Sequence, residues 1–350
     1  MVTQPPSRGS TAPTAQGRPE VRAYPANITF HDLIRANKRK SALLMVGMGM
    51  LGIALGAALG GLLGAGAGGG DPASLIPSIL LGLVAALITV VAASLWSYYG
   101  GSSAILAMSG AKELARGADV QLHNVVEEMA IAAGVPKPRV FLIDDSALNA
   151  FATGRDPEHA AVAITTGLRQ QLTRDELAGV MAHEMSHVRH YDIRFAMLMA
   201  TMVGLIVFAC DAFWRMLRVG MWTGGRRGGR SGDKGAGVVM IVLLIIAVVL
   251  AIIAPMLAMM IRFAVSRQRE YLADAGAVEL TRDPQGLIGA LRKLGACHET
   301  LEAANRATAH LYIVNPLKSA MRGRGHERSS VFRTHPPLHE RIARLEALIQ

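Results

Sequence analysis

His183 and His187 stand four residues apart with Glu184 beside the first, in the order His-Glu-Met-Ser-His. Residues four apart share one face of an α-helix, so both imidazoles can turn toward one point. Zinc takes imidazole nitrogen at about 2.0–2.1 Å, and rings on adjacent turns can reach a single ion. Glu184 can then reach a water on that ion without ligating the metal itself. Zinc lowers the pKa of such a water towards about 7. A neighbouring carboxylate can take the proton and later deliver it to a leaving amine. The plain alternative is a chance match on an amphipathic helix. The context speaks against it, because Thr173-Arg174-Asp175-Glu176 has the Thr-x-x-Glu form of a capping box. A helix is therefore predicted to start at Thr173 and to carry both histidines.

A catalytic zinc site keeps three protein ligands and one open position. His190 shares the histidine face, but seven residues from His183 is about 10 Å of helix rise, too far for both to touch one ion. A surface or boundary role suits it better. A stronger candidate lies in Ser266-Arg267-Gln268-Arg269-Glu270-Tyr271-Leu272-Ala273-Asp274. Glu270 and Asp274 share a helix face, and like charges at that spacing repel unless something cationic lies between them. Glu270 on a metal and Asp274 on the outer nitrogen of a ligand histidine would resolve the conflict, since such carboxylates fix the imidazole tautomer. The alternative is a solvated acidic face neutralised by Arg267 and Arg269. We expect one zinc ion per chain, held by His183, His187 and Glu270.

The elements that must position these residues are unusually apolar. Of 350 residues, 51% are hydrophobic and only 18% charged, with a mean hydropathy of +0.32, which points to membrane segments. The net charge of +10 is local: residues 1–40 and 215–235 contribute +5 each, so the remainder sums to zero. Basic runs beside apolar stretches suit anionic headgroups, and without any nucleic-acid-reading motif no nucleic-acid partner is expected. Cys210 and Cys297 form no metal or disulfide spacing. The first apolar run begins near Ser41, too late and too long for a signal peptide.

Residues 1–35 read as a disordered basic tail. A transmembrane hairpin is expected over 36–102, with spans at about 41–68 and 75–99, each long enough for a hydrocarbon core of about 30 Å; Trp96, Tyr98 and Tyr99 suit the boundary. Residues 103–194 carry the first part of an extramembrane domain, with a helix over 111–133, strands at 139–143 and 160–165, and the histidine helix. A second membrane pair with a Gly- and Arg-rich loop at 215–235 occupies 195–262. The rest of the domain follows over 263–350. The fold class is α+β, mostly helical with a small β-sheet, fused to about four transmembrane helices.

Taken in order, HExxH, SRQREYLAD at 266–274, NAFATG at 149–154 and THPPLHERI at 334–342 resemble the M48 family of membrane zinc metallopeptidases, in particular its bacterial heat-shock members. The resemblance covers about residues 30–350. It implies a gluzincin fold, with Glu270 as third ligand and Asp274 supporting a histidine. It implies that Asn149, Ala150, Phe151, Ala152 and Thr153 form an edge strand on which substrate lies as an added strand; an ordinary loop is the alternative. His335 would stabilise the oxyanion and Arg341 would position an acid such as Asp274, against a bland Pro-Pro turn and surface arginine. Asp192 also matches, with no role to assign. The long tail and the Gly/Arg-rich loop are not explained by it.

His187 and Glu270 must meet, so an even number of crossings separates their segments. Arg35, Lys38, Arg39 and Lys40 before the first span place the N-terminus in the cytoplasm, and two crossings return the catalytic part there, in the bacterial inner membrane. The basic 215–235 loop then conflicts with the positive-inside rule, unless the first hairpin dominates or the second pair is re-entrant. Expected substrates are polypeptides, by family analogy misfolded membrane proteins, with self-cleavage on the same ground. A prenylated-protein protease would want more membrane helices, and an intramembrane site-2-type protease would place HExxH in an apolar span. A catalytically silent membrane scaffold would have no need of Glu184.

Overall fold

The computed structural model describes residues 30–67, 72–223, 234–296 and 336–348. Most of the N-terminal tail, the tip of the Gly/Arg-rich loop and His335 lie outside the described residues. Among the described residues, four helices are long and apolar enough to cross a membrane: α1 (Phe30–Ala67), α2 (Pro72–Met108), α6 (Asp192–Thr223) and α7 (Lys234–Thr281). Their apolar stretches are Ala42–Gly64, Leu75–Met108, Asp192–Arg218 and Ile241–Ile261. The second runs on past Tyr99, where the sequence reading ended it, because no charge interrupts the helix before Met108.

Small residues let these helices approach. α1 and α2 meet along Gly56, Gly60, Gly82 and Ala86. A Cβ on Gly82 would run into the Gly56 carbonyl and lie 2.8 Å from the Gly60 Cα, so the seam requires glycine. Met48, Leu55 and Leu62 of α1 recur every seven residues and bury against Met202 and Ile206 of α6 and an alanine row, Ala247, Ala251, Ala254 and Ala258, on α7. Outward, Leu81, Ile88 and Leu95 of α2 are exposed, the distribution expected of helices with lipid around them.

The extramembrane part is built on a four-stranded sheet, in the order β1 (Lys112–Glu113), β2 (Arg139–Ile143), β4 (Ala161–Thr165), β3 (Ala150–Thr153). β2 and β4 are parallel; β1 and β3 pair antiparallel to them. Alternation along the strands divides the sheet's two faces. Val140, Val162 and Ile164 pack with α3 (Val120–Ala133), α5 (Arg174–Arg189) and α8 (Pro284–Ala296). Phe141, Ile143, Phe151, Ala161 and Ala163 pack with Leu106 near the end of α2, which joins the sheet to the membrane helices. A short α4 (Thr166–Gln171) and a terminal α9 (Leu338–Glu346) complete the described elements.

The helix expected over 111–133 is shorter. Asp119 is extended, with φ −148°, and its carboxylate accepts the Leu122 N–H, so α3 starts only at Val120. Upstream, Lys112 and Glu113 pair with β2 instead. Gly134, at φ 67°, closes α3 in the left-handed conformation that glycine adopts without strain.

Candidate metal centre

α5 carries the histidines. Its N-terminus is held by a reciprocal capping box: Thr173 Oγ1 accepts the Glu176 N–H and Glu176 Oε2 accepts the Thr173 N–H at 2.8 Å. The helix is buried over 179–186, so His183 and Glu184 face the interior. The second source is α7, one unbroken helix of 48 residues that leaves the apolar span and delivers Glu270 and Asp274 alongside α5. Gly276 permits that approach, since a Cβ there would run into Ser186 Oγ.

The result is a cluster in which ligand atoms of His183, His187 and Glu270 all lie within 4.8 Å of one another. Each Nε2 is 3.7 Å from a different Glu270 oxygen, and the rings are nearly perpendicular, with centroids 4.8 Å apart. The outer nitrogens point away to carboxylates: His183 Nδ1 is 3.0 Å from Asp274 and His187 Nδ1 is 3.2 Å from Asp192. When both Nδ1 atoms donate, both Nε2 atoms carry free lone pairs toward Glu270, the donor set and tautomer a zinc ion takes. The residues present therefore fit zinc. His190 is not in the cluster; its Nδ1 lies 3.4 Å from Ser186 Oγ, at the C-cap of α5.

Arg341 comes in from α9, fully buried at 0% exposure. It donates Nε to Asp274 Oδ2 at 2.8 Å and Nη2 to Oδ1 at 2.6 Å, and its Nη1 is 3.4 Å from Glu270. The repulsion between Glu270 and Asp274 is thus relieved by a cation lying between them. Burial works against the charges of both Arg341 and Asp274. Their mutual attraction outweighs it, keeping the guanidinium protonated and holding the Asp274 carboxyl below its usual range. Arg267 and Arg269 do not make a solvated acidic face with these acids. Arg269 is buried and donates to Asp192 at 2.9 Å.

Glu184 is 3% exposed. Burial above all, together with the Glu270 charge, pushes its carboxyl up to about 7, against the opposing pull of His187 and a bond from the Ala152 N–H. A carboxyl held there can both take and give a proton near neutrality. The Ala152 bond also places β3. Its register with β4 pairs Ala152 with Val162, and β3 is the last strand of the described sheet. The Ala152 N–H points off the sheet to Glu184, and the Ala150 N–H bonds the Asn149 side chain at 3.1 Å. Both are side-chain bonds, and Asn149, Ala150, Phe151, Ala152 and Thr153 are all buried. Phe151 anchors β3 in the core, and Thr153 Oγ1 lies 3.5 Å from Met197 Sδ at the start of α6.

Asp192 is a site residue whose role the sequence left unassigned, and Arg269 was read only as a neutraliser of a solvated acidic face. For Asp192 the signals were its place five residues after His187 and its match to the family pattern. Its contact with His187 depends on the reversal at Tyr191, whose φ of 61° is left-handed.

A profile of peptidase family M48 matches residues 117–349. A protein named protease HtpX homolog from Ligilactobacillus salivarius is 41% identical over 325 residues, covering 91% of this chain and 99% of its own. One of the same name from Levilactobacillus brevis is 43% identical over 324 residues, covering 91% and 100%. The crystal structure of S. mikatae Ste24p aligns with 74% of this chain and 57% of its own, at 22% identity and a TM-score of 0.46.

Proposed function

Because the chain belongs to peptidase family M48, we propose that this membrane protease is a zinc endopeptidase acting on misfolded proteins of the bacterial inner membrane. The observation that carries the zinc reading is the convergence of His183, His187 and Glu270, with both imidazoles oriented from behind by Asp274 and Asp192. Bound there, zinc supplies the Lewis acidity that makes water a nucleophile at neutral pH and polarises a carbonyl.

The remaining steps belong to the chain. A substrate strand adds to the outer edge of β3, exchanging the Glu184 and Asn149 side-chain bonds for backbone pairing with Ala152 and Ala150. That exchange frees Glu184 next to the scissile carbonyl. Its buried carboxylate takes a proton from the attacking water and delivers it to the leaving amine. Arg341 holds Asp274 and Glu270 rigid while charge shifts. His335, immediately before the buried Pro336, donates to the developing oxyanion. β3 ends against the first turns of α6, so a substrate strand added there would lie near the start of a membrane span, within reach of segments emerging from the bilayer. The basic Arg35, Lys38, Arg39 and Lys40 before the first span support a cytoplasmic domain.

The test is casein cleavage by the detergent-purified full chain, wild type beside Glu184→Gln, each stripped with chelator and then given zinc. Cleavage by wild type alone, and only with metal, supports the reading. Equal cleavage by both removes Glu184 as the base. If neither cuts although both bind zinc, a silent scaffold or a protease of narrow specificity replaces this reading.

A further inference from the structure

Behind the metal centre, where α1, α2, α6 and α7 come together, is a cavity of about 700 Å³, within the usual range for ligand sites. Its apolar lining comes from Met45 and Val46 of α1 and from Phe195 and Leu198 of α6. Tyr98, His190, Tyr191, Arg194 and Arg269 supply polar lining. No Asp or Glu lines it among the described residues. Arg269 has its charge answered by Asp192 and lies over the Phe195 ring at 3.9 Å. Arg194 lies over the Tyr191 ring at 4.9 Å, and no described carboxylate pairs with it. Arg194 therefore brings a positive charge with no described carboxylate partner to a space lined by both apolar and polar side chains.

The depth of the cavity identifies its occupant. Ala42 is the first residue of the first span and Arg194 is in the first turn of the third, while Tyr98 belongs to the aromatic cluster of the second, ten residues before its end at Met108. This is the level at which headgroups meet hydrocarbon. Val46 is exposed, so the apolar lining reaches the surface of α1. Arg35, Lys38, Arg39 and Lys40 directly precede it and draw anionic lipid to the same surface. Tyr191 adds an independent sign. It holds a left-handed conformation, just past the end of α5, where glycine is the strain-free choice. Strain of this kind persists where a side chain is needed, and this ring carries Arg194.

We infer that the cavity binds one anionic phospholipid, with its phosphate on Arg194 and an acyl chain along Met45, Val46 and Leu198. This site stands apart from the protease reading. It meets the metal centre through Arg269, which bonds the Asp192 that supports His187, and through Tyr191, whose turn brings Asp192 to His187.

The experiment is native mass spectrometry of the detergent-purified full chain, titrated with phosphatidylglycerol and with phosphatidylcholine. Wild type should take one phosphatidylglycerol at least fivefold more tightly than phosphatidylcholine. Arg194→Gln should lose roughly fivefold for phosphatidylglycerol, the weight of one basic side chain. Val46→Trp, which fills the apolar wall at an exposed position, should weaken both lipids without changing charge. Tyr191→Gly relieves the backbone strain, so weaker lipid binding in a chain that melts no lower than wild type supports a role for the ring. Arg39→Gln removes the same charge outside the cavity. An equal loss there, or no preference between the lipids, would mean surface attraction alone and overturns the proposal. So does displacement of the lipid by millimolar inorganic phosphate, which would make this a phosphate site, or by unfolded casein, which would assign the cavity to substrate.

Discussion

Asp192 offers the sharpest test of how the metal centre is held. Its carboxylate faces two ways, with one oxygen 3.2 Å from His187 Nδ1 and the other 2.9 Å from Arg269 Nη1. Asp192→Asn keeps the shape but removes the charge. On the histidine side, losing a carboxylate behind a metal ligand costs about 10–100-fold in metal affinity, or about 1.4–2.7 kcal/mol. On the arginine side, the buried guanidinium loses the carboxylate that answers its charge, a change that costs about 3–5 kcal/mol when a buried ion pair is broken. A single variant thus mixes weaker binding with a weaker fold. The double variant Asp192→Asn, Arg269→Met separates them. Removing the guanidinium as well should recover most of the melting temperature, while zinc affinity stays about 10–100-fold below wild type. Zinc affinity is read by competition with a chromophoric chelator and folding by a thermal melt in detergent. If Asp192→Asn binds zinc within twofold of wild type, the carboxylate does not support His187. If the double variant regains both stability and affinity, the loss came from the fold alone.

Three further outcomes follow from the same geometry. Zinc at 100-fold its dissociation constant contributes about 2.7 kcal/mol to stability, so chelator should lower the melting temperature of wild type and of Glu184→Gln but not of His183→Ala; a wild-type melt indifferent to chelator contradicts a bound metal. Burial pushes the Asp119 carboxyl up, but the Arg169 bond and the Leu122 N–H outweigh it, so its pKa in the folded chain is below 3.8. Its stabilisation is therefore complete above that value and lost as the pH falls through the lower folded one. Asp119→Ala should be about 1–2 kcal/mol less stable than wild type near neutrality, a gap that narrows below pH 3.8; a gap constant down to pH 2 counts against the ion pair. Gly82→Ile should disrupt the α1–α2 seam and lower the melting temperature, whereas Gly49→Ile, with nothing within 4 Å of its Cβ position, should leave it nearly unchanged; equal effects would remove the close-packing explanation.

Much of the centre was legible because it is local. The spacing of His183 and His187, the capping box at Thr173 and the four-residue interval from Glu270 to Asp274 each lie within a turn or so of one helix, where period alone decides which residues share a face. The membrane helices were legible for a similar reason, since apolar length is a property of composition. Their ends were less so: α2 continues past its aromatic cluster to Met108. The 111–133 segment was misread because its apolar pattern does not reveal that Asp119 caps a new helix while Lys112 and Glu113 are taken up by β2.

What the sequence determined alone, then, was the set of donors and the faces that carry them. Only the tertiary structure decided how those faces are held together. Arg341 bridges Asp274 and Glu270 from 67 residues beyond Asp274. Asp192 meets His187 through the left-handed turn at Tyr191 and meets Arg269 from 77 residues away along the chain. Each contact joins charges that would be costly to bury singly and are stable as neighbours. That pairing depends on how α5, α6, α7 and α9 pack, which no helical period encodes.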